Sequence, residues 1–129
     1  MLIIYDQLIR NGGIVMGAVV IQVERKGEIT VVAMTGELDS LSATDAQDQV
    51  LPLVERGCKI LLDMSGVTYM SSAGLRILLL LYRQIQENVG RVVITGLGDE
   101  IREVMEITGF LDFFKTTEKR NDGLRLLSE

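Results

Sequence analysis

Two adjacent serines, Ser71 and Ser72, stand immediately before Ala73-Gly74-Leu75 and an apolar run reaching Tyr82. Hydroxyl side chains at the start of a helical pattern are natural N-caps, because one of them can satisfy a free backbone N–H of the first turn. The same place offers further free N–H donors and the positive end of the helix dipole. A phosphate attached there would be accommodated without unfolding the domain and would add about −1.5 to −2 charges. Ser65 and Thr68, in the polar stretch just upstream, are the other hydroxyls of this segment.

Other chemistry has less footing. The chain contains no histidine, which excludes a Ser-His-Asp triad and removes both the usual metal ligand and the usual proton carrier at neutral pH. The acid pairs Glu37/Asp39 and Asp99/Glu100 sit at element ends, where caps and solvated turns account for carboxylates. Gly96-x-Gly98 follows a strand pattern but lacks the third glycine of a dinucleotide fingerprint, and there is no Gly-Lys-Ser/Thr of a phosphate loop. No catalytic residue, metal site or cofactor is expected, and the reading is not an enzyme.

Composition agrees. The 129 residues are the size of one domain, 47% hydrophobic and 24% charged with a single proline, too apolar to be disordered. Thirteen basic against 18 acidic residues give a net charge of −5, and the basic ones are scattered, so a nucleic-acid surface is not expected. The lone Cys58 cannot form an internal disulfide and reads as a small buried hydrophobe in a reducing cytoplasm. Apolar stretches such as Ile77 to Tyr82 are bounded by Arg76 and Arg83 and fall short of the roughly 20 residues that a membrane helix needs.

The elements that must position the serines follow from periodicity. Residues 1–17 read as an appendage, an apolar patch followed by an Asn11-Gly12-Gly13 break before the first strand. They are either upstream of a true start at Met16 or an extra strand or arm that could pair with a second copy in a homodimer. Strands are predicted at Ala18 to Val23 and Glu28 to Thr35, joined as a hairpin. A helix follows, capped by Ser40 or Ser42, with Ala43, Ala46, Val50, Leu53 and Val54 inward and a kink at Pro52. Cys58 to Met64 reads as a strand covered on both faces, followed by a polar loop to Ser72 and a helix from Ala73 to Asn88. Arg91 to Thr95 is a further buried strand. A helix capped by Asp99 comes next, with Ile101, Val104, Met105 and Thr108 inward and Gly109 as its stop. Phe113 to Thr116 and Glu118 to Leu127 read as a last strand and helix. This order gives a single α/β domain, a mixed sheet of about four to five strands with an N-terminal hairpin, parallel later strands and about four helices.

On the serine helix, Leu75, Leu78, Leu79, Tyr82, Ile85 and Val89 form one stripe at 100° per residue and are expected to face the sheet. Ile77, Leu80 and Leu81 lie off it, which suggests a protein-binding patch or burial by the N-terminal arm.

The motif residues carry a resemblance. Gly36-Glu37-Leu38-Asp39, then Leu62-Asp63-Met64-Ser65-Gly66-Val67-Thr68-Tyr69-Met70-Ser71-Ser72-Ala73-Gly74-Leu75, and Gly96-Leu97 with Ile101-Arg102-Glu103-Val104 through Thr108-Gly109-Phe110, resemble a STAS domain of the bacterial anti-sigma factor antagonist type. The likeness spans residues 18 to 127 and implies residues 18–129 as the domain. It implies partner switching. The unphosphorylated protein binds an anti-sigma factor that is also a serine kinase, phosphorylation of the serine two residues before the motif glycine (Ser72 before Gly74) releases it, and a serine phosphatase restores binding. Asp39 matches an acid near that serine, where its other role is a turn or cap. Ser71 stands where the family often has aspartate and is the rival acceptor, and Arg76 replaces a frequent small residue, where it could alter partner choice or pair with the phosphate. Partner contacts are expected from Thr68, Tyr69, Met70, Ser71, Leu75, Arg76, Ile77 and Leu80. The other reading is a constitutive STAS subunit of a lipid-transport or stress-sensing assembly.

Overall fold

β-Branched residues on either side of Gly27-Glu28 pair as the expected hairpin: β1, Val19–Lys26, runs antiparallel to β2, Ile29–Leu38, with Lys26 opposite Ile29. The structure, a computed structural model, describes residues 19–129; the appendage and Met16 lie outside the described residues. After the hairpin come α1 (Ser42–Val50), β3 (Lys59–Met70), α2 (Ser72–Glu87), β4 (Arg91–Thr95), α3 (Asp99–Ile107), β5 (Lys115–Thr117) and α4 (Arg120–Ser128). The five strands form one sheet in chain order, and every pair after the hairpin is parallel.

Right-handed crossovers between strands that are neighbours in both sequence and space put their helices on one face. Accordingly α1, α2 and α3 share a core with one side of the sheet, built on Ile21, Val32, Met34, Ile60, Leu62 and Ile94. The other side holds α4, where Ile29, Val31, Leu61 and Val93 meet Leu127. Pro52 breaks the first helix as expected: α1 ends at Val50 and a 3-10 turn, Leu51–Leu53, follows. Gly109, with φ of 80°, closes α3 in a conformation that side chains rarely adopt.

Several elements differ from the sequence reading. The cap of α1 is neither Ser40 nor Ser42: the Asp39 carboxylate accepts from the N–H groups of Leu41 and Ser42 at 2.9 and 3.0 Å. Gly98, not Asp99, is the N-cap of α3, and Asp99 supplies charge in the first turn. Val104 is 40% exposed and Thr108 is exposed too, so only Ile101 and Met105 of α3 point inward. The core stripe of α2 is rotated: Leu75, Ile77, Leu78, Leu81 and Ile85 are buried, Leu79 is half-buried and Val89 is 67% exposed. The helix buries two adjacent flanks, one against the sheet and one against α1, so Ile77 and Leu81 belong to the core rather than to an outer patch.

A charged contact fastens α4 to the sheet. Asp63 of β3 is 8% exposed and accepts from Arg120 Nε and Nη2 at 3.0 and 2.6 Å. Arg120 Nη1 also reaches Glu24 of β1 at 2.8 Å. Burial alone raises the Asp63 carboxyl, but the Ser65 hydroxyl, the Arg120 guanidinium and the Ser65 N–H outweigh it and hold it below its ordinary 3.8.

Two outcomes follow. Leu81→Ala should destabilise by about 2–5 kcal/mol in urea unfolding, the cost of a core truncation; a change near zero would return Leu81 to the surface. Because the folded carboxyl of Asp63 titrates below its unfolded value, the unfolded chain binds more protons. The stability this group contributes is therefore complete above pH 3.8 and lost as pH falls through the lower, folded value. In acid unfolding, Asp63→Asn should flatten the part of the stability profile below that point, and an unchanged profile would remove Asp63 as its source.

Candidate functional site

β3 is longer than the sequence suggests. The polar stretch read as a loop, Ser65 to Met70, continues the strand, paired with β2 at Thr35↔Gly66, Gly36↔Val67, Glu37↔Tyr69 and Leu38↔Met70. Register shifts between Ala33 and Thr35 and between Gly36 and Glu37 place two extra residues on β3. Burial therefore recurs every third residue, at Met64, Val67 and Met70, where a regular strand would alternate. Thr68 and Tyr69 are left facing solvent, Tyr69 at 51% exposure. The continuous apolar pattern ends at Met64, and glycine and hydroxyl residues hide the extension.

The strand delivers Ser71 to the end of β2. The Ser71 N–H and hydroxyl both donate to the Leu38 carbonyl, at 2.8 and 3.2 Å, and the same hydroxyl accepts from the Gly74 N–H at 3.4 Å. Ser71 is thus the N-cap of α2. Ser72 is the first helical residue, is exposed, and among the described residues no hydrogen bond engages its hydroxyl. Gly74 permits this approach: a Cβ there would lie 2.7 Å from the Leu38 carbonyl oxygen and 2.9 Å from Met70 Cγ. Leu38 thereby couples the starts of both helices, since Asp39, the next residue, caps α1. The Asp39 carboxyl is lowered mainly by the Ser42 N–H, against a smaller desolvation effect. Its hydrogen bonds among the described residues join it to its own turn, so it stands beside the Ser71 anchor and serves as a cap.

Of the remaining expected contact residues, Arg76 is exposed and Leu80 half-buried, while Met70, Leu75 and Ile77 are at most 8% exposed. Met70 and Leu75 still floor grooves; Ile77 lines neither of them. One groove, about 180 Å³, lies between Thr68, Tyr69, Met70 and the α3 residues Glu100, Ile101 and Val104. The second, about 340 Å³, is lined by Ser72, Leu75, Arg76, Leu79, Thr108 and Phe110. The flank of α3 therefore forms a second wall that the sequence reading missed, with Val104 and the 77%-exposed Ile107 as its apolar residues. The signal was partial: at 100° per residue Ile107 lies well away from Ile101 and Met105, whereas Val104, three residues after Ile101, stands at the margin of their face.

The STAS domain family matches residues 20–123. The chain belongs to the STAS domain family. It is 33% identical over 91 residues to BtrV of Bordetella bronchiseptica, named as an anti-sigma factor antagonist, an alignment covering 70% of this chain and 78% of that one. In structure it is similar to an anti-sigma factor antagonist from Mycobacterium paratuberculosis, with a TM-score of 0.80, 23% identity, and coverage of 88% of this chain and 97% of that one. It also shares its fold with the phosphorylated form of the Bacillus cell fate determinant SpoIIAA, with a TM-score of 0.64, 19% identity, and coverage of 82% and 98%. Among the described residues of this STAS domain, no His/Cys/Asp/Glu cluster could hold a metal ion, and no helix is long and apolar enough to cross a membrane.

The two serines have separable duties, and stability measurements should show it. Ser71→Ala removes a cap and should cost about 1 kcal/mol. Ser72→Ala removes an exposed hydroxyl and should stay within about 0.5 kcal/mol of the parent. Equal losses in a thermal or urea series would contradict this assignment of the cap.

Proposed function

We propose that this STAS domain is an anti-sigma factor antagonist controlled by phosphorylation of Ser72. In the unphosphorylated state it binds an anti-sigma factor that is also a serine kinase, and so frees a sigma factor for transcription. The kinase transfers phosphate to Ser72, the complex dissociates, and a serine phosphatase restores the binding form. Asp39 and Gly74 support the acceptor, by holding the turn beside it and by allowing α2 to start against Leu38.

One observation carries this reading. Ser72 is the exposed hydroxyl at the lip of an apolar groove, while its neighbour Ser71 does the capping. A phosphate on Ser72 would cost the fold no existing contact. It would, however, put a dianion where a partner must exclude water to reach Leu75, Leu79 and Phe110, and an unpaired buried charge is costly. The likeness to BtrV supports the antagonist role, and the fold shared with SpoIIAA is one that has been solved in a phosphorylated form.

The direct test incubates the purified chain with ATP and the anti-sigma kinase encoded beside it, and locates the phosphate by mass spectrometry. Phosphate is expected on Ser72, none on Ser72→Ala, and binding weakened about tenfold or more by Ser72→Asp, equivalent to about 1.4 kcal/mol. Modification of Ser71 instead, or equal binding by the parent and Ser72→Asp, would sink the proposal.

A further inference from the structure

Arg76, the departure from the family pattern, has no part in the fold. It is exposed, and among the described residues no carboxylate pairs with it and no hydrogen bond engages its guanidinium. Arg25, Arg91, Arg120 and Arg125 are committed to Thr30, the carbonyls of Leu126 and Glu129, Asp63 with Glu24, and Asp122; Arg56, Arg83 and Arg102 have no partner among the described residues either, and Arg76 is set apart from them by its place. Arg76 stands four residues after Ser72 on α2, the spacing at which helical side chains are neighbours. The two also line the same groove of about 340 Å³, in which Arg76 is the one charged lining residue. Across that groove the Thr108 hydroxyl is occupied with the carbonyls of Val104 and Met105.

We propose that Arg76 is the intramolecular partner of a phosphate on Ser72: its guanidinium turns back one helical turn to pair with the phosphate oxygens, and its side chain then lies over the groove mouth. This deepens the proposed function and rests on Ser72 as the acceptor. The planar guanidinium matches phosphate oxygens two at a time. An acid placed four residues before a base is also the favourable order along a helix. Side-chain rotation is the only movement required. Two other charged groups lie nearby: Asp39, whose carboxylate is held by Leu41 and Ser42, and Glu100, which lines the adjacent groove. Both acids would raise the second ionisation of the phosphate, whereas Arg76 lowers it. The switch thereby gains a second action, since the phosphate adds charge and also recruits a side chain across apolar surface that a partner would use.

The test needs no kinase. Phosphoserine is genetically encoded at position 72 of the full chain, in the parent and in R76Q and R76K, and the phosphorus-31 resonance is titrated through the second phosphate ionisation, near pH 6. The parent should titrate about 0.2–0.4 pH unit below R76Q, an exposed i,i+4 pair energy placed on the pKa scale. R76K should retain part of the difference, and high salt should erase it. Identical midpoints for the parent and R76Q at low salt would overturn the pairing. Because the phosphate is installed without an enzyme, that failure would leave the Ser72 reading intact. A kinase that ignores Ser72 would leave the pairing measurable.

Discussion

The whole site depends on β3 outrunning β4. Pairing with β4 stops at Asp63↔Thr95, yet β3 continues to Met70 with β2 as its partner. A strand extended along one neighbour must satisfy its backbone groups on that side and expose the other, so its residues divide into core and surface sharply. Two register shifts convert that division into a three-residue period. Met64, Val67 and Met70 anchor the extension, Thr68 and Tyr69 face outward, and Ser71 arrives at the Leu38 carbonyl. Were the register regular, the residues between the two shifts, Val67 among them, would change face, and Leu38 would lie opposite Thr68 instead of Met70, so α2 would start elsewhere.

Much of the fold was legible because the apolar runs are unambiguous: Arg91 to Thr95 is a strand in sequence and in structure, and Pro52 breaks its helix where proline must. What was hidden is hidden for physical reasons. Ser65 and Gly66 interrupt the strand signal, and Val67-Thr68-Tyr69 beyond them is too short a run to restore it, so an extension held by pairing with β2 reads as a loop. A helix that packs against both a sheet and another helix buries two flanks, and a single-stripe analysis of α2 consequently misassigned Ile77 and Leu81. The exposed apolar surface therefore does not lie on the Ile77 and Leu81 flank of α2. The observed one lies between Tyr69, Leu75, Phe110 and the α3 flank.

The serine pair was legible as a pair, and only the backbone separates its members. Either hydroxyl could have capped α2. Ser71 does so because its extended conformation, φ −86° and ψ 176°, turns its side chain back over the first turn, while Ser72 already has helical geometry. Asp39 illustrates the same limit. Its position in the chain allows a role beside the proposed acceptor serine, but its carboxylate is consumed by Leu41 and Ser42. It is tied to Ser71 only through its chain neighbour Leu38, whose carbonyl Ser71 bonds.

These geometries also bear on how a phosphate would act. The chain already carries a net charge of −5, and the α3 wall of the site adds Asp99, Glu100, Glu103 and Glu106 around Val104 and Ile107. A partner suited to that rim would be basic around an apolar centre, and a further dianion on Ser72 would strengthen its long-range attraction. Release under the proposed function therefore cannot come from the far field, which salt screens beyond about 8–10 Å. It must arise at contact, where a phosphate above Leu75 and Phe110 has to be stripped of water and Arg76 is drawn over the groove. The two adjacent features, an open hydroxyl and an uncommitted guanidinium, make local desolvation and occlusion the effects that decide binding.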